Sequence, residues 1–130
     1  MIITRYSQLV MPQDANVVGT LFGGQMVSWM DISASKAVHR FLKDTKAKLA
    51  LTRAIDAIEF KEPVYVGNWV NFEAKILETG SSSIVIQINA YKESQHIEKV
   101  LACKAIFTFV SVKKAPDGTF SKVNHNKEPE

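Results

Sequence analysis

Asn16, the pair Gly23-Gly24 and Asp31 lie close together in the chain and offer a side-chain amide, backbone N–H groups and a carboxylate. Glycines at the start of a helix let the backbone approach a ligand closely. The free N–H groups of the first turn and the helix dipole then favour an oxygen carrying negative charge, so an oxyanion hole can be built there. The same pair also suits a tight loop-to-helix turn or close packing. Asp31 sits four residues after Val27, three before Ala34 and seven before Val38, close to an apolar helical face. A carboxylate on such a face is costly unless paired or functional. Desolvation raises a carboxylate's proton affinity, which suits a general base or nucleophile near neutral pH. The competing placement puts Asp31 at the edge of the stripe, meeting water or Lys36.

Other chemistry is poorly served. Cys103 falls inside a strand pattern, where a lone cysteine acts as a small buried hydrophobe. His39, His96 and His125 have no partners at the spacing of a metal site or a triad, so no metal is expected. Ser81 to Ser83 follow Gly80 as a turn, and no Gly-x-Ser-x-Gly elbow or phosphate-binding loop occurs. The 16 Lys and Arg are dispersed among 13 Asp and Glu, a net charge of +3 that gives only a mild bias toward anionic ligands. Without a basic, aromatic-laced face, nucleic-acid binding is not expected. The stretch from Val17 to Ile32 is interrupted by Gly19, Gly23 and Gly24 and is too short and polar to cross a bilayer. Residues 1 to 10 lack the apolar core of a signal peptide, and a single cysteine precludes an internal disulfide. The expected location is cytoplasmic.

The elements that must position these residues follow from periodicity. At 130 residues one domain is expected. Met26, Val27, Met30, Ala34, Ala37, Val38 and Phe41 recur at helical spacing, which predicts one helix over 25–42, entered directly from Gly23-Gly24. Alternating patterns predict a strand from Leu49, ended by Lys61-Glu62-Pro63, with Leu49, Leu51, Ile55 and Ala57 on one face and Thr52, Ala54, Asp56 and Ile58 on the other. Further strands are expected from Trp69, from Ile84 after a Gly80 turn, over 100–112, and over 2–10. Short turns between consecutive strands require a largely antiparallel sheet, with the helix on one face, so the class is α+β. The strands look longer than ordinary ones, and long strands twist and curl around a central helix. The domain is assigned to residues 1–114. Residues 115–130 form a polar tail, expected to be loose.

Met11-Pro12, Asp14-Ala15-Asn16, Gly19, Phe22-Gly23-Gly24 and Met30-Asp31, followed by Thr52-Arg53, Phe60-Lys61-Glu62-Pro63-Val64, Val66-Gly67 and Gly80 to Ser83, resemble the signature of the hotdog-fold acyl-CoA thioesterases. The similarity is to the bacterial short acyl-CoA hydrolases related to the cytosolic and brain-type enzymes, and it runs from about Met11 to Val112. It implies a hotdog, a long antiparallel sheet wrapped around one central helix. It also implies hydrolysis of acyl-CoA to CoA and a carboxylic acid, with no cofactor beyond the CoA of the substrate. In that family the helix carboxylate, matching Asp31, is general base or nucleophile, and an asparagine matching Asn16 acts from the neighbouring subunit to orient water. The amides at Gly23-Gly24 would stabilise the oxyanion. CoA lies along the subunit interface, where Arg53 and Lys61 would meet its phosphates, Ser82 and Ser83 would donate hydrogen bonds, and Thr20 and Phe22 would line the substrate path. A homo-oligomer follows, a dimer or a trimer of dimers, with the monomer inactive. Thr20 stands where the family often has an acid, asparagine or histidine, and Lys36 where small residues are usual. Two rivals remain: a non-catalytic hotdog that binds acyl-CoA, and a hydratase or dehydratase on acyl thioesters using His39.

Overall fold

A computed structural model describes residues 2–130. The helical spacing produces α1 at Gly23–Leu42, which starts at the glycine pair itself. First-turn N–H groups need no intrahelical partner, so Gly23 and Gly24 enter the helix without losing a hydrogen bond. The strands are β1 (Thr4–Leu9), β2 (Leu49–Phe60), β3 (Trp69–Thr79), β4 (Ser83–Glu93), β5 (Val100–Lys114) and β6 (Phe120–Lys122). They form one sheet in the order β1-β3-β4-β5-β2, every neighbouring pair antiparallel, with β6 on the end of β5.

The concave face of this sheet closes on α1. Met30, Ala34 and Phe41 of the helix are fully buried with Phe72 of β3, Ile84, Ile86 and Ile88 of β4, and Phe107 of β5. Trp29 meets Phe72 edge-on at 6.4 Å between ring centres. Cys103 is buried as expected, its Sγ 3.8 Å from Met30 Sδ, and burial pushes its thiol up to about 11.

β2 departs from the alternation read in the sequence. Its pairing with β5 slips twice, between Thr52 and Ala54 and between Asp56 and Glu59. Each slip inserts an unpaired residue and turns the following side chains to the opposite face. Thr52, Ile55 and Phe60 therefore pair with Phe109, Phe107 and Cys103, all buried beneath the helix. The first slip puts Thr52 and Ile55 on one face, where uninterrupted alternation would separate them. The second carries Ala57 at φ 50°, a left-handed conformation unusual for a residue with a Cβ. β2 is also bonded on one side only, to β5. Its Leu49, Leu51 and Phe60 are 47%, 44% and 58% exposed. A long apolar strand with a free edge is a pairing surface.

The tail is not loose. After β6, the Val123 N–H bonds to the Ser111 carbonyl and the His125 N–H to the Ser81 carbonyl. His125 is buried against Phe41. Lys127 donates to the Phe41 carbonyl at the end of α1 and to Asp44, each at 3.0 Å. These bonds are polar and non-periodic, so hydropathy gives no sign of them. No helix among the described residues is long and apolar enough to cross a membrane.

Candidate active site

The chain arrives at the first turn of α1 through a loop with few options. Asp14 is buried at the end of a 3-10 turn (Pro12–Asp14). Its carboxylate accepts from the Met11 N–H at 2.9 Å and from Gln25 Nε2 at 2.8 Å, and its carbonyl accepts from the Phe22 N–H. Asp14, quoted from the sequence only as part of the family signature, and Gln25, given no role there, thus fasten the loop to the helix start. Phe22 gives no side-chain cap, and the first amide bonded back to it is that of Met26. The N–H groups of Gly23, Gly24 and Gln25 are left at the open end of the helix dipole. At Gly23 a Cβ would only touch the Phe60 ring, at 3.4 Å, and at Gly24 the space is open.

Asn16 folds back on its own loop. Its Oδ1 accepts from the amides of Val18 and Thr20, each at 3.1 Å, and its Nδ2 donates to Thr20 Oγ1 at 2.7 Å. One side-chain N–H remains free to donate. Thr20 also bridges to Tyr65. With Phe60, Lys61 and Val64 it lines a cleft of about 210 Å³ beside the helix start. Phe22 is 51% exposed next to it.

Asp31 is half-buried, at the edge of the apolar stripe. Its partner is neither Lys36 nor another charge: Thr52 Oγ1 donates to Asp31 Oδ1 at 2.7 Å, while Lys36 reaches the Arg5 carbonyl. Thr52 was not named as a site residue, because an unbroken strand gives no reason to aim it at the helix. Gly24 and Asp31 are two turns apart on one face, about 10 Å along the axis, and the helical Cα–Cβ bond tilts the carboxylate back toward the glycines. Thr52→Val keeps the shape and removes the hydroxyl. It is expected to lower the catalytic rate about fivefold, the value of about 1 kcal/mol for one hydrogen bond, with little change in melting temperature.

The remaining candidates are spread over the sheet. Arg53 lies in the first slip of β2, exposed. Lys61, at the other end of β2, pairs with Glu59 at 3.1 Å. That hydrogen bond, with Lys104 behind it, holds the Glu59 carboxyl below its ordinary value. Arg53 and Lys61 are eight residue steps apart along the strand, roughly 25 Å, so one chain does not bring both to one phosphate. Ser82 is in the β3–β4 turn and Ser83 opens β4. The Ser82 carbonyl accepts from Ser111, and Ser83 Oγ accepts from the Gly80 N–H at 3.0 Å. No group of three His, Cys, Asp or Glu able to hold a metal occurs among the described residues.

The family description "Thioesterase superfamily" matches residues 18–99, the segment from the glycine loop through β4. The chain belongs to the thioesterase superfamily. It is 32% identical over 114 residues to the acyl-CoA thioester hydrolase YciA of Salmonella typhimurium, covering 85% of this chain and 81% of that one. Among solved structures, the hexameric thioesterase y2039 from Yersinia pestis superposes with a TM-score of 0.83 at 28% identity, over 97% and 96% of the two chains. A hexameric broad-specificity acyl-coenzyme A thioesterase, solved as an aspartate-to-alanine mutant, gives 0.81 at 26% identity, over 97% and 88%. The thioesterase has the hotdog fold: one central helix within a six-stranded antiparallel sheet.

Proposed function

We infer that this thioesterase hydrolyses acyl-CoA to free CoA and a carboxylic acid, in a site completed between two copies of the chain. The observation that carries the reading is Asp31, held by Thr52, on the helix face that begins at the uncapped Gly23-Gly24 turn. As general base, Asp31 takes a proton from water while the water oxygen bonds to the thioester carbonyl carbon. The oxyanion formed from the carbonyl oxygen is met by the free amides of the first turn. When the carbonyl reforms, the C–S bond breaks. CoA leaves as thiolate, a good leaving group that needs no strong acid, and the carboxylic acid carries the water oxygen. Attack by the Asp31 carboxylate itself, through an anhydride that water then hydrolyses, uses the same groups.

The free edge of β2 gives the reason for a second copy. A two-fold axis pairs this edge with itself in antiparallel fashion, so the Phe60 end of one strand lies beside the Leu49 end of the other. The Asn16–Thr20 loop and Lys61, which flank the Phe60 end, are thereby carried toward the partner's Asp31 and Thr52. In this arrangement the remaining amide N–H of Asn16 orients the attacking water. Arg53, in no salt bridge among the described residues, is the freer cation for a CoA phosphate, and Lys61 of the other copy approaches from the far side. Thr20 and Phe22 line the thioester's path, and Ser82 and Ser83 offer further contacts to CoA. The solved relatives named as hexamers support a trimer of such dimers, and the free thiol of Cys103 supports a cytoplasmic setting.

Thiol release from short, medium and long acyl-CoAs tests the reading. Turnover with at least one chain length is expected. Thermal protection by acyl-CoA with no thiol released at any length would make the protein a binding module, and hydration of an enoyl thioester without thiol release would make it a hydratase.

A further inference from the structure

The inward face of β4 reads Ile84, Ile86, Ile88, Ala90 and then Lys92, all buried. Lys92 is 6% exposed, and no carboxylate lies within salt-bridge distance of it among the described residues. Its Nζ donates to the Pro63 carbonyl at 2.5 Å and lies 5.6 Å from the centre of the Tyr65 ring. An ammonium with three donors and one carbonyl acceptor is an expensive way to fill a core position. A methionine of similar length would fill the space without the desolvation cost.

What the ammonium does supply is an anchor for the link between β2 and β3. Among the described residues the Pro63 carbonyl has no other partner. The adjacent Val64 carbonyl accepts from the Leu21 N–H at 2.7 Å, and Tyr65 bridges to Thr20. Leu21 leads through Phe22 into the free amides of Gly23 and Gly24. Pro63 and Val64 also wall the cleft that Thr20 and Lys61 share.

We propose that Lys92 is a positioning residue for the reaction: by holding the Pro63 carbonyl it fixes the strip that sets where the oxyanion-binding amides point. This rests on the thioesterase reading above. The amides act on charge that develops only in the transition state, so loosening them lowers kcat and leaves KM nearly unchanged.

Lys92→Met and Lys92→Arg test it, with thiol-release kinetics, thermal melting and hydrogen exchange of the 20–26 segment. For Lys92→Met, kcat falls about tenfold or more, KM moves less than about twofold, and the melting temperature holds or rises. The Leu21 amide exchanges about tenfold faster or more, because the strip carrying its acceptor opens locally. Lys92→Arg, which keeps a donor for the Pro63 carbonyl, restores most of kcat. Unchanged kcat and exchange in Lys92→Met overturn the proposal. So does a fall in melting temperature that tracks the loss of kcat in both variants, which marks a purely structural lysine. Faster exchange in a protein whose wild type releases no thiol at all sinks the thioesterase reading and leaves the anchoring of the strip standing.

Discussion

Replacing Asp31 with alanine is expected to cut kcat for acyl-CoA hydrolysis about a thousandfold, within the range that a positioned general base contributes. KM should change little, because the carboxylate acts on the attacking water and not on the bound CoA. The fold should barely notice. Asp31 is half-buried and has one hydrogen-bond partner, Thr52, so a stability loss of about 0.5 kcal/mol or less is anticipated. Thiol release, with melting curves of both proteins, reads the two quantities separately. A variant that turns over at the wild-type rate removes Asp31 from the chemistry, and one that has lost its melting transition says nothing special about catalysis. Asp31→Asn sharpens the result: it retains an acceptor for Thr52 and loses the base, so it should be as inactive as the alanine variant.

The second large effect is a recovery. Asn16→Ala and Asp31→Ala are each expected to be nearly inactive as purified homo-oligomers. Unfolded together and refolded as a mixture, they should regain activity. If each site takes Asp31 from one copy and Asn16 from the other, a mixed dimer has one intact site and one doubly damaged site. Random pairing makes half of the dimers mixed, so about one quarter of the wild-type specific activity returns. Sites contained within one chain would give no recovery at all. The recovery should disappear when a charge is placed on the free edge of β2, for example Leu51→Asp. Leu51 is 44% exposed in the isolated chain and would be covered by pairing of that strand.

How much of this could be read beforehand depended on the kind of force involved. The apolar stripe of α1 and the alternation of β3 and β4 are burial patterns, and burial is what residue type records. The glycine pair and Asp31 were visible because their types are out of place in such a pattern. β2 was misread in detail because its two slips fall at Arg53 and around Ala57, with no glycine to mark either. A bulge reverses sidedness without changing composition. That reversal hid Thr52, whose hydroxyl is aimed at Asp31 only after β2 is laid against β5. The tail was misjudged for another reason: it is held by backbone bonds, a buried histidine and one lysine at a helix C-terminus. Lys92 drew no notice in the sequence, since only its burial sets it apart.

Cys103, sealed against Met30 with its thiol pushed up to about 11, has a practical consequence for every measurement above. Reagents that titrate released CoA through its sulfur would find no reactive protein thiol beneath the product signal, since attack on such reagents requires an accessible thiolate. The wild type therefore serves as its own cysteine-silent background. A single new cysteine on the β2 edge would be the only one to react, and oxidative trapping of two such copies would report directly on which residues face each other across the axis.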